Sequence, residues 1–333
     1  MHNFKKLVSP VILMIIIICV NEMLCFAAKP YSFFRFDMHN LENGEEYTDI
    51  FVGTSHGKAA IAPEVVDQYT GGNSINMCLG GEYLSDSYFI VKEAIRVGHP
   101  KRVVYELDPG YWVAEKSKGA EYREMYDEFP KSLVKAEYYH QLLWGQDWRM
   151  TIFPWYLCRT GLKNPFERIR TKLGEAYKNF DDSFWNSDVQ NYGGKGHVSI
   201  HRTDAVKTED NLKLWDRQEI LPEVKEYFEK LKKLCEENNI ELVVITTPIP
   251  QETMEKYQDN FEEANAYFAE YMAKQGIPYY NYNYIDTESL DKSLMDFQIM
   301  KDICMKMKLK DSALSLERCL LESRALRIIW KAE

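Results

Sequence analysis

The 333-residue chain has no Cys-x-x-Cys pair, no internal repeat, no low-complexity linker and no excess of basic charge. Its seven cysteines, Cys19, Cys25, Cys78, Cys158, Cys235, Cys304 and Cys319, are too scattered for a zinc pattern or a disulfide framework. Five follow the first 28 residues, and that odd number argues for free, buried thiols. No metal or organic cofactor is implied. With 41 basic against 51 acidic residues, net −10, the basic patch of a nucleic-acid surface is missing. What is present is apolar: 45% hydrophobic residues exclude disorder over most of the chain. The length suits about two domains, or one large α/β domain with insertions.

Residues 1–28 differ from the rest. Lys5 and Lys6 precede an apolar stretch from Leu7 to Val20, uninterrupted from Val11. Asn21 and Glu22 break it, and Met23 to Ala28 is apolar again. A basic flank before an apolar core reads as an export signal. The short core suits a signal peptide, whereas Leu7 to Ala28 together is long enough to span a membrane. Cleavage after Ala27 or Ala28 would place Cys25 or Phe26 at the −3 position, which favours an uncleaved signal anchor. Either reading puts residues 30–333 outside the cytoplasm, with an anchor making the protein single-pass.

Short apolar runs predict strands at Asp49–Val52, Ser74–Met77, Arg102–Leu107, Glu241–Thr246 and Pro278–Tyr282. Such runs suit a parallel sheet covered on both faces. Helical patterns fall at 58–69, 85–97, 222–238 and 262–274. The order predicts a three-layer, doubly wound α/β domain over 44–297. Residues 110–239 read as a mostly helical insertion between the third and fourth strands, lying over the sheet's C-terminal edge. This region holds Trp112, Trp144, Trp148, Trp155, Trp185 and Trp215. Aromatics at that density are first of all core or interface; stacking on sugar rings is the alternative.

Three loops follow predicted strands. Gly53-Thr54-Ser55-His56 links the first strand to a helix, so Ser55 is a candidate nucleophile or a simple helix cap. Gly80-Gly81 follows the second strand, where backbone N–H groups suit an oxyanion, or a turn needs glycine. Leu107-Asp108-Pro109 ends the third strand, and there a loop-starting Asp-Pro is the first reading.

The run from Asp49 through Ile95, followed by HPKRVVYELDP, resembles the SGNH (GDSL-like) hydrolase superfamily. Within it the chain is most similar to the membrane-anchored, extracytoplasmic branch that includes the D-alanyl transfer protein of teichoic-acid D-alanylation. The likeness covers Tyr47 to about Pro109, continues more weakly from Val243 to Phe297, and does not cover the insertion. It implies a flavodoxin-like fold with Ser55 as nucleophile and Thr54 where the family motif has Asp. It implies oxyanion donors at the N–H groups of Ser55 and Gly80 or Gly81, with Thr54, His56 and Asp108 lining the site. The family's third-block asparagine is replaced by Glu106-Leu107-Asp108-Pro109, a departure shared with the transfer-type branch.

A serine nucleophile needs a base, usually His oriented by Asp. The family supplies both in a D-x-x-H block after the last strand, yet no histidine lies beyond His201. From Gln298 the chain turns basic and methionine-rich. Read in the −1 frame with permitted codons, it becomes SDYEGHLHENEAERFSAV, which resembles that block with one extra residue of spacing. Residues 298–333 are therefore read as an aberrant, out-of-frame tail; the alternative is a divergent helix that lost the base. His56 is adjacent to Ser55 and poorly placed to reach its hydroxyl. His197, after a glycine-rich loop, is a weaker candidate base, and Asp286, Asp291 and Asp296 are candidate orienting acids. The function expected is acyl transfer or ester hydrolysis on a cell-envelope glycan or teichoic polymer. A membrane O-acyltransferase is the implied partner if transfer is the reaction. The alternative is a non-catalytic, membrane-anchored binding or scaffold protein on the same fold.

Overall fold

A computed structural model describes residues 2–116, 121–200 and 213–284. The chain divides into two compact units: Met1–Arg35 with Ser117–Phe184, and Phe36–Lys116 with the chain from Trp185 onward.

The second unit is built on a parallel sheet. Strands β1 (Asp49–Gly53), β2 (Ser74–Asn76) and β3 (Arg102–Glu106) come first in the chain. A separate two-stranded antiparallel hairpin follows, β4 (Gln190–Tyr192) with β5 (Val198–Ile200). The sheet is completed by β6 (Glu241–Thr246) and β7 (Tyr279–Asn281). Its spatial order is β2-β1-β3-β6-β7, and every neighbouring pair is parallel. All five predicted strands are thus found, each trimmed or extended by a residue or two except β6.

Register is set by charge at one edge. Asp49, Arg102 and Glu241 stand level across β1, β3 and β6. The Arg102 guanidinium reaches Asp49 at 3.1 Å and Glu241 at 2.9 Å. Apolar residues then fill both faces, because successive strand residues point to opposite sides. Phe51, Val104, Val243 and Ile245 pack with Ile61, Val66, Cys78 and Tyr282 on one face. Tyr105 faces Phe228 of helix Pro222–Glu237 on the other. Trp112 joins that second layer through Phe228 and Phe268. Its indole N–H donates to the Tyr105 hydroxyl at 3.3 Å. The unit is therefore α/β, with helices on both faces of a parallel sheet.

The structure corrects several expectations. The single helix expected over 58–69 is two helices, Ser55–Ala60 and Pro63–Thr70. Pro63 forces its predecessor out of the helical region, and Ala62 sits at φ −99°, ψ 99°. A helix at Phe33–Asn43 was not foreseen; its Phe36, Met38 and Leu41 are buried. The 110–239 insertion is not one element. Residues 121–184 are a series of short helices in the first unit, whereas 110–116, 185–200 and 213–239 belong to the sheet unit and include the β4–β5 hairpin. The tail from 298, with Asp286, Asp291 and Asp296, lies outside the described residues.

The first unit gathers short helices around the end of one long helix, His2–Ala28. Ser9–Ala28 is long and apolar enough to cross a membrane by length and composition. The last carbonyls of that helix, left without intrahelical partners, are taken by side chains. Lys172 donates to the carbonyls of Phe26 and Lys29 at 2.6 and 2.7 Å, and Arg168 to that of Ala28 at 2.7 Å. Lys29 pairs with Glu128 at 2.5 Å.

Candidate functional site

The six residues singled out around the strand ends (Thr54, Ser55, His56, Gly80, Gly81 and Asp108) sit at the carboxyl ends of β1, β2 and β3. Their local geometry follows from glycine. Gly53 ends β1 at φ +145°, and a Cβ there would lie 2.6 Å from the Glu106 carbonyl oxygen and 2.7 Å from Glu106 Cβ. Only glycine fits so close an approach in that conformation. Gly57 is required by packing, since a Cβ there would meet the buried Cys78 Sγ at 2.6 Å.

Thr54 caps helix Ser55–Ala60, its hydroxyl oxygen accepting from the His56 N–H at 3.3 Å. Ser55, next in the chain, is exposed. β2 continues to follow β1 past its formal end: Met77 N–H donates to Phe51 and Leu79 N–H to Gly53. That pairing carries Gly80 up beside the serine, and a Cβ on Gly80 would lie 3.5 Å from Ser55 Cβ. The two glycines then part company. Gly81 N–H donates to the Tyr111 hydroxyl at 3.3 Å. Gly80 N–H has no hydrogen-bond partner among the described residues. Of the two glycines expected as alternative donors, Gly80 is thus the one whose N–H is free.

His56 and Asp108 meet, Nδ1 to Oδ2, at 3.6 Å. The other Asp108 oxygen accepts from Gly110 N–H at 2.8 Å, so this aspartate starts the loop and faces the imidazole at once. No hydrogen bond joins Ser55 Oγ to a histidine among the described residues. His197 is placed elsewhere. Its Nε2 lies 3.1 Å from the Ala59 carbonyl oxygen at the far end of the Ser55–Ala60 helix, and burial lowers its pKa.

Two buried carboxyl groups hold this turn, and neither was singled out as a site residue. Glu106 Oε2 accepts from both the N–H and the hydroxyl of Thr54, each at 2.8 Å; its other oxygen accepts from the Thr247 hydroxyl at 3.1 Å. Glu82 Oε1 accepts from Gly53 N–H at 2.9 Å and from the Ser87 hydroxyl at 2.5 Å. Glu82 Oε2 has no partner among the described residues. Burial raises the pKa of Glu106, opposed by the nearby His56 and by the Thr54 bonds. Burial raises Glu82 well above the ordinary carboxyl range. The signal in the sequence was an acidic residue closing an otherwise apolar run, Val103-Val104-Tyr105-Glu106.

A third support is Asn76, fully buried. Its amide N–H groups donate to the carbonyls of Gly57 and Ile61 at 2.9 and 2.8 Å, and its Oδ1 accepts from Cys78 N–H at 3.0 Å. Beside it, Lys58 pairs with Asp37 at 2.5 Å, and Asp37 also accepts from the Tyr192 hydroxyl at 2.7 Å. Both ions are almost wholly buried. Among the described residues, no group of three or more His, Cys, Asp or Glu is arranged to hold a metal. The five described cysteines are free thiols.

The aromatic stretch splits. Trp112 and Trp215 are buried in the sheet unit; Trp144 and Trp148 are exposed in the helical unit. No protein-family model matches the chain, and a search of curated proteins finds no match.

Proposed function

We propose that this chain is a serine acyl esterase or acyl transferase of the SGNH type, acting on a cell-envelope glycan or teichoic polymer. The observation that carries the reading is the exposed Ser55 at the end of β1, with the unpartnered N–H of Gly80 beside it. Counting only the strands of the main sheet, their order is 2-1-3-4-5. In such flavodoxin-like sheets the crevice at the carboxyl ends, where the strand order reverses between β1 and β3, binds ligands. The resemblance of Gly53–His56 to the family's first block supports the same residues.

On this reading Ser55 Oγ attacks the carbonyl carbon of an acyl ester and its proton leaves to a base. The oxyanion is held by the N–H groups of Ser55 and Gly80. Collapse breaks the ester C–O bond, and the leaving alcohol takes up the proton. The acyl-enzyme then passes its acyl group to a hydroxyl or to water. Glu106 and Glu82 hold the backbone on either side of the Gly53–Thr54 bond, which fixes where Ser55 is presented. His56 and Asp108 form a wall of the site. Adjacent helical residues point about 100° apart, so His56 is not assigned as the base. The base belongs to the D-x-x-H block that the resemblance places after the last strand. The chain as written has no such block, and its turnover is expected to be low. The N-terminal helix serves as a membrane anchor with the main domain outside the cytoplasm, and a membrane O-acyltransferase is the partner if transfer is the reaction.

A fluorophosphonate probe on the full chain in detergent tests the site. Labelling abolished by Ser55→Ala supports catalysis. A folded sample that takes no label favours the non-catalytic binding or scaffold reading, which the absence of a Ser55–histidine bond among the described residues also favours. Resequencing the gene from the Ser293 codon onward separates the two further. A missing or extra base that restores the terminal block returns the base to Ser55.

A further inference from the structure

The helical unit exposes apolar side chains that a water-facing unit ordinarily covers. Trp144 is 71% exposed, Trp148 63%, Phe166 85% and Leu173 60%; Ile152 and Leu133 are exposed as well. All six belong to the unit that contains the long apolar helix.

The level of Phe166 relative to that helix follows from the long helix's length. Ser9–Ala28 is 20 residues, which at 1.5 Å per residue is about 30 Å, the thickness of a bilayer's hydrocarbon core. If that helix spans, Ala28 lies at the core boundary. The carbonyls at this end, those of Phe26, Ala28 and Lys29, are held by Arg168 and Lys172. Helix Pro165–Lys172 is therefore fastened at the boundary. Phe166 lies on the same helix, about 9 Å along the axis from Lys172. Charge agrees with this placement. Residues 144–173 carry Arg149, Arg159, Lys163, Arg168, Arg170 and Lys172 against two acidic residues, Glu167 and Asp147, the latter paired with Arg149. Exposed aromatics beside basic residues are the composition of a membrane–water interface.

We propose that residues 144–173 form an interfacial collar around the exit of the N-terminal helix. Trp144, Trp148, Ile152, Phe166 and Leu173 seat in the headgroup–acyl boundary, and the exposed basic side chains Arg159, Lys163 and Arg170 meet lipid phosphates. The collar ties the helical unit to the leaflet surface. This inference rests on the reading of the N-terminal helix as a membrane anchor.

The test uses the full chain reconstituted in vesicles of phosphatidylcholine and phosphatidylglycerol with acyl-brominated lipid, which quenches nearby tryptophan. Quenching of the native chain is expected, and the Trp144→Phe/Trp148→Phe variant should lose roughly half of it or more, as interfacial tryptophans would. Both positions are exposed, so the variant should fold. In that background Ile16→Trp reports on the span itself. Ile16→Trp quenched by bromolipid in that background, with Trp144 and Trp148 of the native chain open to aqueous acrylamide instead, overturns the collar and leaves the anchor. Trp144 and Trp148 shielded from both quenchers also overturns it, and assigns the patch to a protein partner or second copy. An Ile16→Trp that bromolipid does not quench overturns the anchor reading and the collar with it.

Discussion

The sheet unit and the helical unit dispose of their apolar residues by different means. In the sheet unit β1 and β3 are buried from end to end. Its large exposed apolar residues among the described positions are Val189, Ile200 and Tyr284. In the helical unit the long helix is exposed from Val11 to Ile18, and tryptophan and phenylalanine stand on the surface. The sheet unit is held by strand pairing and a two-faced core. The helical unit leans on side chains that grip the carbonyls ending its long helix. Apolar content alone therefore does not locate a core. A parallel sheet buries apolar residues because helices must cover both faces, whereas a helix suited to lipid needs no protein around it.

The largest effect is expected at the buried ion pair. Asp37→Ala leaves Lys58 buried without its counter-charge and should cost about 3–5 kcal/mol, read as a lower urea midpoint. The Asp37→Leu/Lys58→Met double variant should recover most of that loss. If probes in the helical unit shift by the same amount, the units unfold as one block and the contrast drawn above fails.

Gly53→Ala comes next. The new Cβ meets the Glu106 backbone at 2.6 Å in a conformation that disfavours side chains, so overpacking of roughly 1–3 kcal/mol adds to backbone strain. Fluorophosphonate labelling should fall along with stability, because the same turn presents Ser55. Loss of stability with labelling unchanged would show that the turn does not position the serine.

Lys172→Ala removes two charged hydrogen bonds at the end of the long helix and should cost roughly 1–3 kcal/mol. Hydrogen exchange should quicken at Phe26–Lys29 and stay unchanged in β1 and β3. Matching changes in the strands would again erase the distinction.

The smallest effect is a slope. Burial holds the pKa of Glu82 above its unfolded value, so the folded protein keeps a proton that the unfolded chain releases. That contribution is full below the ordinary glutamate range and declines as pH rises through the folded value. Glu106 acts with the same sign. Glu82→Gln should therefore flatten the fall of Tm between acidic and neutral pH, and an unchanged slope would remove Glu82 as a source.

Much of the sheet was legible because a buried parallel strand writes itself as a short apolar run. Glu241–Thr246 was readable to the residue. Ser55, Gly80 and Asp108 were legible as strand-end residues, since strand ends are where such sheets expose side chains. Glu82, Glu106 and Asn76 were not, because their roles depend on which backbone N–H or carbonyl each one meets. The β4–β5 hairpin was missed for a similar reason. Its turn is fastened by Lys195, whose carbonyl accepts from Asn76 N–H at 2.8 Å, a contact 119 residues away in sequence. The break before Pro63 was written in the sequence but outweighed there by the helical pattern around it.

Sequence alone determined the five strands, the apolar leader and the serine at a strand end, because each depends on local periodicity or on neighbouring residues. The tertiary structure decided the rest. It chose Gly80 over Gly81 as the free donor, set His56 against Asp108 rather than Ser55, and divided the insertion between two units. Each outcome rests on contacts between segments far apart in the chain, where packing and hydrogen-bond geometry act and local pattern does not.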